Sequence, residues 1–215
     1  MTASRTATAV ARHNQHVDAA AARREHILAA AERCFIRNGF HRTTMQDLAE
    51  AAKMSAGNFY RYFASKEAIV LGLAQRERER GEQLVVPLKE MGDLRAAMLH
   101  VIREYHVSIT PGKAVLWLDI WAESTRNPDL AASHRAQRTT SRAFFVRVLS
   151  TLASGPNVDV EALYATIDPL MKGILVNRAI IPGYDPEPAY QQLLAIIDRR
   201  LSGQETSPEI LVRKP

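Results

Sequence analysis

Apolar positions along the chain recur at helical spacing, and turn residues divide them into separate segments. In the first segment Ile27, Ala31 and Phe35 fall on one helix face, and Asn38-Gly39 supplies the stop. No segment alternates between apolar and polar residues as a strand would. The pattern therefore predicts an all-α protein of about nine helices.

The N-termini of several helices are predicted from their cap residues. Thr44 is followed three residues later by Asp47, which is the spacing of a capping box. Ser55, Ser65 and Asp93 are the predicted caps of three later helices. Two short helices, 44–52 and 55–63, are thus joined by a tight turn, as in a helix-turn-helix.

The ends of the chain carry weaker patterns. Residues 1–17 have no apolar period and predict a disordered basic arm, and residues 203–215 predict a frayed tail. Residues 18–66 then form the predicted helix-turn-helix domain, and 67–202 a larger helical body.

Charge is concentrated in the first third of the chain. Residues 1–66 contain ten basic and five acidic residues, so they carry all of the net charge of +5 in the 215-residue sequence. A basic end on a neutral body is typical of nucleic-acid binding, although a solvated basic helix face gives the same count.

The remaining composition limits the class of protein. Cys34 is the single cysteine, which excludes an internal disulfide and fits a reducing compartment. The longest uncharged stretch, Val148 to Val158, is too short to span a bilayer, and the N-terminus lacks an apolar signal core. We expect a cytoplasmic protein without a membrane segment.

The second short helix has the composition of a helix that enters the major groove. Its start is small or polar, with Gly57 allowing close backbone approach and Asn58 able to bond a base edge or a phosphate. Phe59 and Phe63 point to the core, while Tyr60, Arg61 and Tyr62 supply outward donors. An ordinary amphipathic helix with aromatic anchors is the alternative interpretation.

Residues 43–73 closely resemble the DNA-binding segment of the tetracycline-repressor (TetR) family of bacterial regulators. The matching elements are Thr43-Thr44, Leu48-Ala49, Ser55 with Gly57, Tyr60, Tyr62-Phe63 and Ser65-Lys66-Glu67. The resemblance implies a three-helix DNA-binding head, a ligand-binding body and a homodimer formed by the last two helices on a palindromic operator in double-stranded DNA. The DNA-contacting positions that it implies are Thr44, Gln46, Ser55, Ala56, Gly57, Asn58, Tyr60, Arg61, Tyr62 and Lys66.

One residue departs from the family pattern. Lys53 stands in the turn where many members carry glycine. If this position requires a positive φ, a non-glycine residue costs on the order of 1 kcal/mol.

The middle helices hold the candidate effector site. Trp117 and Trp121 lie one helical turn apart, which fits either a plain aromatic core or a pocket that binds an apolar or amphipathic small molecule. The full set of candidate effector contacts is Met98, Ile102, Tyr105, Trp117, Trp121, Phe144, Met171, Asn177 and Arg178, with His106 as a further polar candidate.

The last two helices carry two apolar stripes. One stripe contains Leu163, Ile167, Leu170, Met171, Ile174 and Leu175, and the other contains Tyr190, Leu193, Leu194, Ile197 and Leu201. Part of each stripe is expected to be buried in the monomer and the rest to form a two-fold interface.

Motifs of other classes are absent from the sequence. It contains no HExxH, CxxC, P-loop or nucleotide-binding glycine pattern, so neither catalysis nor a cofactor is expected. His100 and Glu104 could begin a metal site, but such pairs are more often surface contacts, and no metal is predicted.

The expected function is control of transcription by effector-dependent release of DNA. Repression is implied by the family resemblance, and activation by the same fold stays open. The alternative class is a helical small-molecule-binding protein that has lost specific DNA recognition.

Overall fold

The computed structural model describes residues 2–90 and 92–203 of the chain, with side chains described from residue 19 onward except at 84 and 89. These residues form nine α-helices and one π-turn, and no strand, which confirms the predicted all-α class. The helices are α1 (Thr2–Asn38), α2 (Met45–Ala51), α3 (Ala56–Tyr60), α4 (Lys66–Glu90), α5 (Leu94–Ile102), α6 (Pro111–Ser124), α7 (Pro128–Leu152), α8 (Val160–Ile180) and α9 (Glu187–Leu201); the π-turn is Arg103–Val107.

The first helix differs from its prediction at the N-terminal end. A disordered arm was expected over residues 1–17, whereas α1 is continuous from Thr2 to Asn38. The segment contains neither glycine nor proline and is rich in alanine, the residue with the highest helix propensity, so nothing in it ends the helix. The predicted tail at 203–215 lies, from residue 204 onward, outside the described residues.

The predicted caps are formed. The hydroxyl of Thr44 accepts the Asp47 N–H at 3.1 Å, and the Thr44 N–H donates to Asp47 Oδ2 at 2.8 Å, which completes the capping box. Ser55 Oγ accepts the Asn58 N–H at 3.4 Å at the start of α3. The other two predicted caps, Ser65 and Asp93, are also formed.

The described chain divides into two compact units. Unit 1 contains the chain up to Arg78 together with Leu116–Ser133, and unit 2 contains Glu79–Val115 together with the chain from His134. Unit 1 therefore extends past residue 66, the predicted end of the helix-turn-helix domain. Helical periodicity shows which face of a helix is apolar but not which neighbour covers that face.

Unit 1 has its own hydrophobic core. The inward faces of α1 and α4 contribute Ile27, Phe35 and Ile69, each at most 1% exposed, and Leu48 of α2 is fully buried with them. Side chains from Leu116–Ser133 complete this core, namely Leu116, Ile120 and Leu130. The predicted inward face of α1 is thereby confirmed.

Unit 2 is built around α8. Ile167 at its centre is fully buried, and it packs with Ile102 of α5, Phe145 of α7 and Ile197 of α9. The π-turn that follows α5 is closed by a Ser108 N–H to Arg103 carbonyl bond of 2.8 Å. No helix in the described part of the chain is both long and apolar enough to cross a membrane.

Candidate functional site

The turn between α2 and α3 contains a left-handed residue. Lys53 has a φ of 54°, so the turn does require a positive φ at the position where many family members carry glycine. Its N–H bonds to the Glu50 carbonyl at 2.9 Å, and the Met54 N–H bonds to the Ala49 carbonyl at 2.9 Å. This left-handed cap ends α2 sharply and allows α3 to begin three residues later.

The α3 helix separates an inward aromatic face from an outward polar face. Phe59 is fully buried and Phe63 is 2% exposed, as predicted. Ser55, Ala56 and Gly57 are exposed at the helix start. The outward face therefore presents small and polar groups to solvent, and the buried phenylalanines hold it against the unit 1 core.

The end of α3 carries the larger outward groups. Tyr60 is 52% exposed, and Arg61 is exposed with its guanidinium carbon 5.9 Å from the centre of the Tyr62 ring. Tyr62 itself is half-buried against the core of unit 1. Asn58 is half-buried, and Gln46 of α2 is exposed.

Gly57 faces open space. A Cβ built on it has no atom within 4 Å beyond its chain neighbours, and its φ is not in the left-handed region. Neither packing nor backbone conformation within the protein therefore requires glycine at this position. The absence of a side chain leaves the α3 backbone accessible from outside.

Thr44 and Lys66, both predicted to contact DNA, use their side-chain polar groups inside unit 1. The Thr44 hydroxyl takes part in the capping box, and the hydrogen bonds from Thr44 lower the pKa of Asp47. Lys66 Nζ donates to the carbonyls of Phe40 and His41 at 3.0 and 3.3 Å. Lys66 thus ties the start of α4 to the turn after α1, a role that the sequence pattern did not indicate.

The first half of α4 is fixed tightly to α1 within unit 1. A Cβ on Gly72 would lie 2.9 Å from Leu28 Cδ2 and 3.0 Å from Phe63 Cε1, so the two helices touch closely there. One turn further, the Arg76 guanidinium pairs with Glu32 and, at 3.3 Å, with Glu25.

A third carboxylate completes this charge cluster. Glu77 Oε1 lies 3.6 Å from Arg76, and Glu77 is only 4% exposed. Burial lowers the pKa of Arg76, but the neighbouring carboxylates outweigh it and raise the pKa above its ordinary value. Arg76 is therefore a permanent cation that balances carboxylates from both helices.

The candidate effector residues fall in both units. Trp117 and Trp121 lie in unit 1, where Trp117 packs against that core, and the other seven lie in unit 2. Met98, Ile102 and Met171 are at most 3% exposed and are core residues of unit 2. The half-buried members in unit 2, which have partly accessible side chains, are Tyr105, Phe144, Asn177 and Arg178.

The Arg178 side chain connects two loops of unit 2. Its Nε donates to the Ile109 carbonyl at 3.1 Å, and its Nη1 donates to the Tyr184 carbonyl at 2.9 Å. The side chain therefore holds together the loops that precede α6 and follow α8.

Tyr105 contacts α4 at a glycine. A Cβ on Gly81 would lie 2.7 Å from the Tyr105 hydroxyl, and both residues belong to unit 2. A glycine inside a long helix is the signal that could have revealed this close contact.

The apolar stripes of α8 and α9 are mostly buried within unit 2. Leu163, Ile167, Tyr190 and Leu193 are at most 3% exposed, whereas Leu170 is 41% exposed. The exposed face of α8 instead contains several small residues, namely Ala162, Ala165, Thr166 and Pro169.

The histidines and acidic residues do not gather into a metal-binding cluster in the described ranges. No group there of three or more histidine, cysteine, aspartate or glutamate side chains is arranged to hold a metal ion. His106 Nδ1 instead lies 3.2 Å from the Ile102 carbonyl.

The fold and the α2–α3 geometry are those of a helix-turn-helix domain. Residues 27–73 match the model of the bacterial regulatory proteins of the tetR family, and residues 94–202, half of the chain, match the C-terminal domain of BetI-type transcriptional repressors. The chain belongs to the tetR family of bacterial regulatory proteins.

Individual relatives agree with this assignment. The chain is 29% identical over 193 residues to the HTH-type transcriptional repressor Rv1474c of Mycobacterium tuberculosis, covering 84% of this chain and 92% of the relative. It is 29% identical over 122 residues to the HTH-type transcriptional regulator UidR of Escherichia coli, covering 56% of this chain and 61% of UidR.

A solved structure shows the same fold. A transcriptional regulator from Saccharomonospora viridis in complex with choline superposes with a TM-score of 0.70 at 20% identity, covering 81% of this chain and 95% of that chain.

Proposed function

We propose that the protein is a sequence-specific DNA-binding repressor that a small-molecule effector releases from its operator. The observation that carries the proposal is the outward face of α3. This face has open space at Gly57 and exposed polar side chains, while Phe59 and Phe63 on the opposite side are buried in the core. A helix of this kind fits the major groove, where base edges are distinguishable.

The residues of the head divide into two kinds of contact. Asn58, Tyr60 and Arg61 are the candidates for base edges, because they lie along the outward face of α3. Gln46 of α2 and Lys53 of the turn are exposed, and they are the candidates for phosphate contacts. Thr44 and Lys66 act mainly by positioning α2 and α4, since their polar groups already have partners.

A homodimer would present two heads to a palindromic operator. The small residues on the outward face of α8 permit close helix packing, and Leu170 and Ile180 add exposed apolar area, at 41% and 63%. We propose α8 and α9 as the two-fold interface, formed by this outward face rather than by the buried stripes.

The effector would act within unit 2 on the second half of α4. Tyr105 is half-buried and abuts Gly81, so a ligand that displaces the Tyr105 ring changes the packing of α4 at that point. Gly72 and Arg76 fix the first half of α4 to α1, so a movement of α4 carries the DNA-binding head with it. A 100-fold preference of effector for the released state corresponds to about 2.7 kcal/mol of coupling.

Fluorescence anisotropy on the DNA that flanks the gene, with a scrambled duplex as control, tests the proposal. Binding at least ~10³-fold tighter than to the scrambled duplex, with a steep salt dependence, is expected. Arg61→Ala should remove most of this preference, whereas Arg147→Ala, which removes an exposed cation on α7, should not. Equal and weak binding to both duplexes by the wild type, or unchanged specificity in Arg61→Ala, contradicts the proposal and favours a protein that only binds small molecules.

A further inference from the structure

A line of three polar side chains runs along one face of α8 in unit 2. Tyr164, Asp168 and Lys172 follow at four-residue intervals. Lys172 Nζ donates to Asp168 Oδ2 at 2.6 Å, and the Tyr164 hydroxyl donates to Asp168 Oδ1 at 3.4 Å. The side chains of Asp168 and Lys172 are 15% and 35% exposed, and Tyr164 is 5% exposed, so the line lies largely out of water.

Two histidines from other elements lie within electrostatic range of this line. His106 comes from the π-turn and His134 from α7, and the charges of Asp168 and Lys172 act on both rings. Burial lowers the pKa of His106 to about 4, and burial followed by the positive charges of Lys172 and Arg138 lowers the pKa of His134. Both rings are therefore neutral at pH 7.

The hydrogen bond of His106 determines which of its two ring nitrogens carries the proton. Since the ring is neutral and its Nδ1 lies 3.2 Å from the Ile102 carbonyl, the proton belongs on Nδ1. Nε2 is then left without a proton. A π-turn holds this ring in place, and such turns are rare and frequent at functional sites.

The charges around the line favour one sign of ligand. Asp168 and Lys172 cancel, and Arg142 of α7 pairs with Glu161 at 2.5 Å. Arg138 of α7 adds a further positive charge that reaches His134 and Tyr164. The cluster thus has a net positive charge together with two imidazoles that can each accept a proton when an anion arrives.

We infer that Tyr164, Asp168, Lys172, His106 and His134 form the headgroup site for an effector that carries an organic anion, such as a carboxylate. The anion replaces Asp168 as a partner of Lys172, and its charge draws a proton from solvent onto the two nearby imidazoles. Phe145, whose ring centre lies 6.0 Å from that of Tyr164, provides apolar surface beside the headgroup. The inference rests on the proposed effector-responsive function and specifies the chemistry of its ligand.

Three probes with one tail and different heads test the inference on the full-length protein. Octanoate, octyltrimethylammonium and 1-octanol differ in head charge, and isothermal titration calorimetry in two buffers of different ionisation enthalpy measures affinity and proton uptake together. We expect octanoate to bind about tenfold or more tightly than either other probe, with net uptake of protons near pH 6.5.

Variants of the α8 line make the test specific. Lys172→Met should remove the preference for octanoate without weakening the binding of 1-octanol. Asp168→Asn should strengthen the binding of octanoate, because the carboxylate that competes for Lys172 is gone. Arg147→Met, which removes an exposed cation on α7, is the matched control and should behave as wild type.

Several results would overturn the inference. These are no octanoate binding at millimolar concentration, equal or tighter binding of the cationic or neutral probe, a preference that survives Lys172→Met, or octanoate binding that is weakened by Asp168→Asn. Because the operator-binding test uses no effector, a protein that binds its operator specifically but fails here disproves only the headgroup site.

Discussion

The Tyr105 hydroxyl lies against α4 at the one place where Gly81 leaves room for it: a Cβ on Gly81 would be 2.7 Å from that oxygen and 3.4 Å from the ring carbon that bears it. The Tyr105 hydroxyl therefore occupies space that a side chain at position 81 would need. Tyr105 belongs to the π-turn that also carries His106, so this contact joins the candidate effector site to α4.

A double-mutant cycle measures this relationship. Gly81→Ala adds helix propensity, worth up to about 1 kcal/mol, but it displaces the Tyr105 ring. Removing the hydroxyl with Tyr105→Phe relieves the clash. In urea unfolding, Gly81→Ala should be more stabilising by about 1 kcal/mol when combined with Tyr105→Phe than when made in the wild type. Equal effects in both backgrounds would show that the two residues are not coupled.

Lys53 is strained by its left-handed backbone. Its φ of 54° is costly for a residue with a Cβ, so Lys53→Gly should raise the free energy of unfolding by about 1 kcal/mol. Lys53→Asn, which tolerates this conformation better than lysine, should give a smaller gain. Both variants should bind DNA with a shallower salt dependence, because each lacks one cation. A loss of stability in Lys53→Gly would contradict the strain.

Replacing Gly57 with alanine should weaken DNA binding without impairing folding. Since a Cβ there meets no atom within 4 Å, Gly57→Ala should fold normally and be as stable as wild type or more so. The added methyl group should nevertheless weaken operator binding by about tenfold or more, because it holds the α3 backbone away from DNA. Anisotropy and thermal unfolding on the same preparation check both statements. Wild-type affinity in Gly57→Ala would show that the α3 backbone does not approach DNA closely.

Arg76 holds together carboxylates from α1 and α4. Arg76→Met would leave Glu32 and the buried Glu77 without their shared cation, and we expect a loss of about 3 kcal/mol in unfolding free energy. Arg78→Met is the matched control on the same helix, because Arg78 is exposed and bonds to Gln75. Its effect should stay below about 0.5 kcal/mol. Similar losses in the two variants would contradict a special role for Arg76.

His106 makes stability depend on pH. The ring binds a proton near pH 6.5 when unfolded but only near pH 4 when folded, so the unfolded state gains protons first as the solution is acidified. This contribution to stability is complete above pH 6.5 and falls as pH drops towards 4, by at most about 3 kcal/mol. His106→Gln should flatten the profile of unfolding free energy in that window. A variant with the wild-type slope would disprove this origin.

Much of the fold follows from local sequence signals. The caps at Thr44 and Ser55, and the glycine stop after Asn38, act within one or two turns of chain, and the structure has each of them. Phe59 and Phe63 were likewise assignable to the core because helical spacing separates them from the polar side of α3.

Features that depend on distant packing were not predictable. The joining of Leu116–Ser133 to unit 1 depends on which apolar faces meet, and the π-turn has no sequence signature of its own. The line of Tyr164, Asp168 and Lys172 has helical spacing in the sequence, but only the fold brings His106 and His134 to it.

The central claim is that two copies of α3 read a palindromic operator. Duplexes selected from the genome by the full-length protein, followed by hydroxyl-radical footprinting, test it most directly. We expect two protected segments on one face of the DNA, about one helical turn apart or a multiple of it, that Gly57→Ala weakens together. Selection of no common sequence, or protection without two related half-sites, would contradict it.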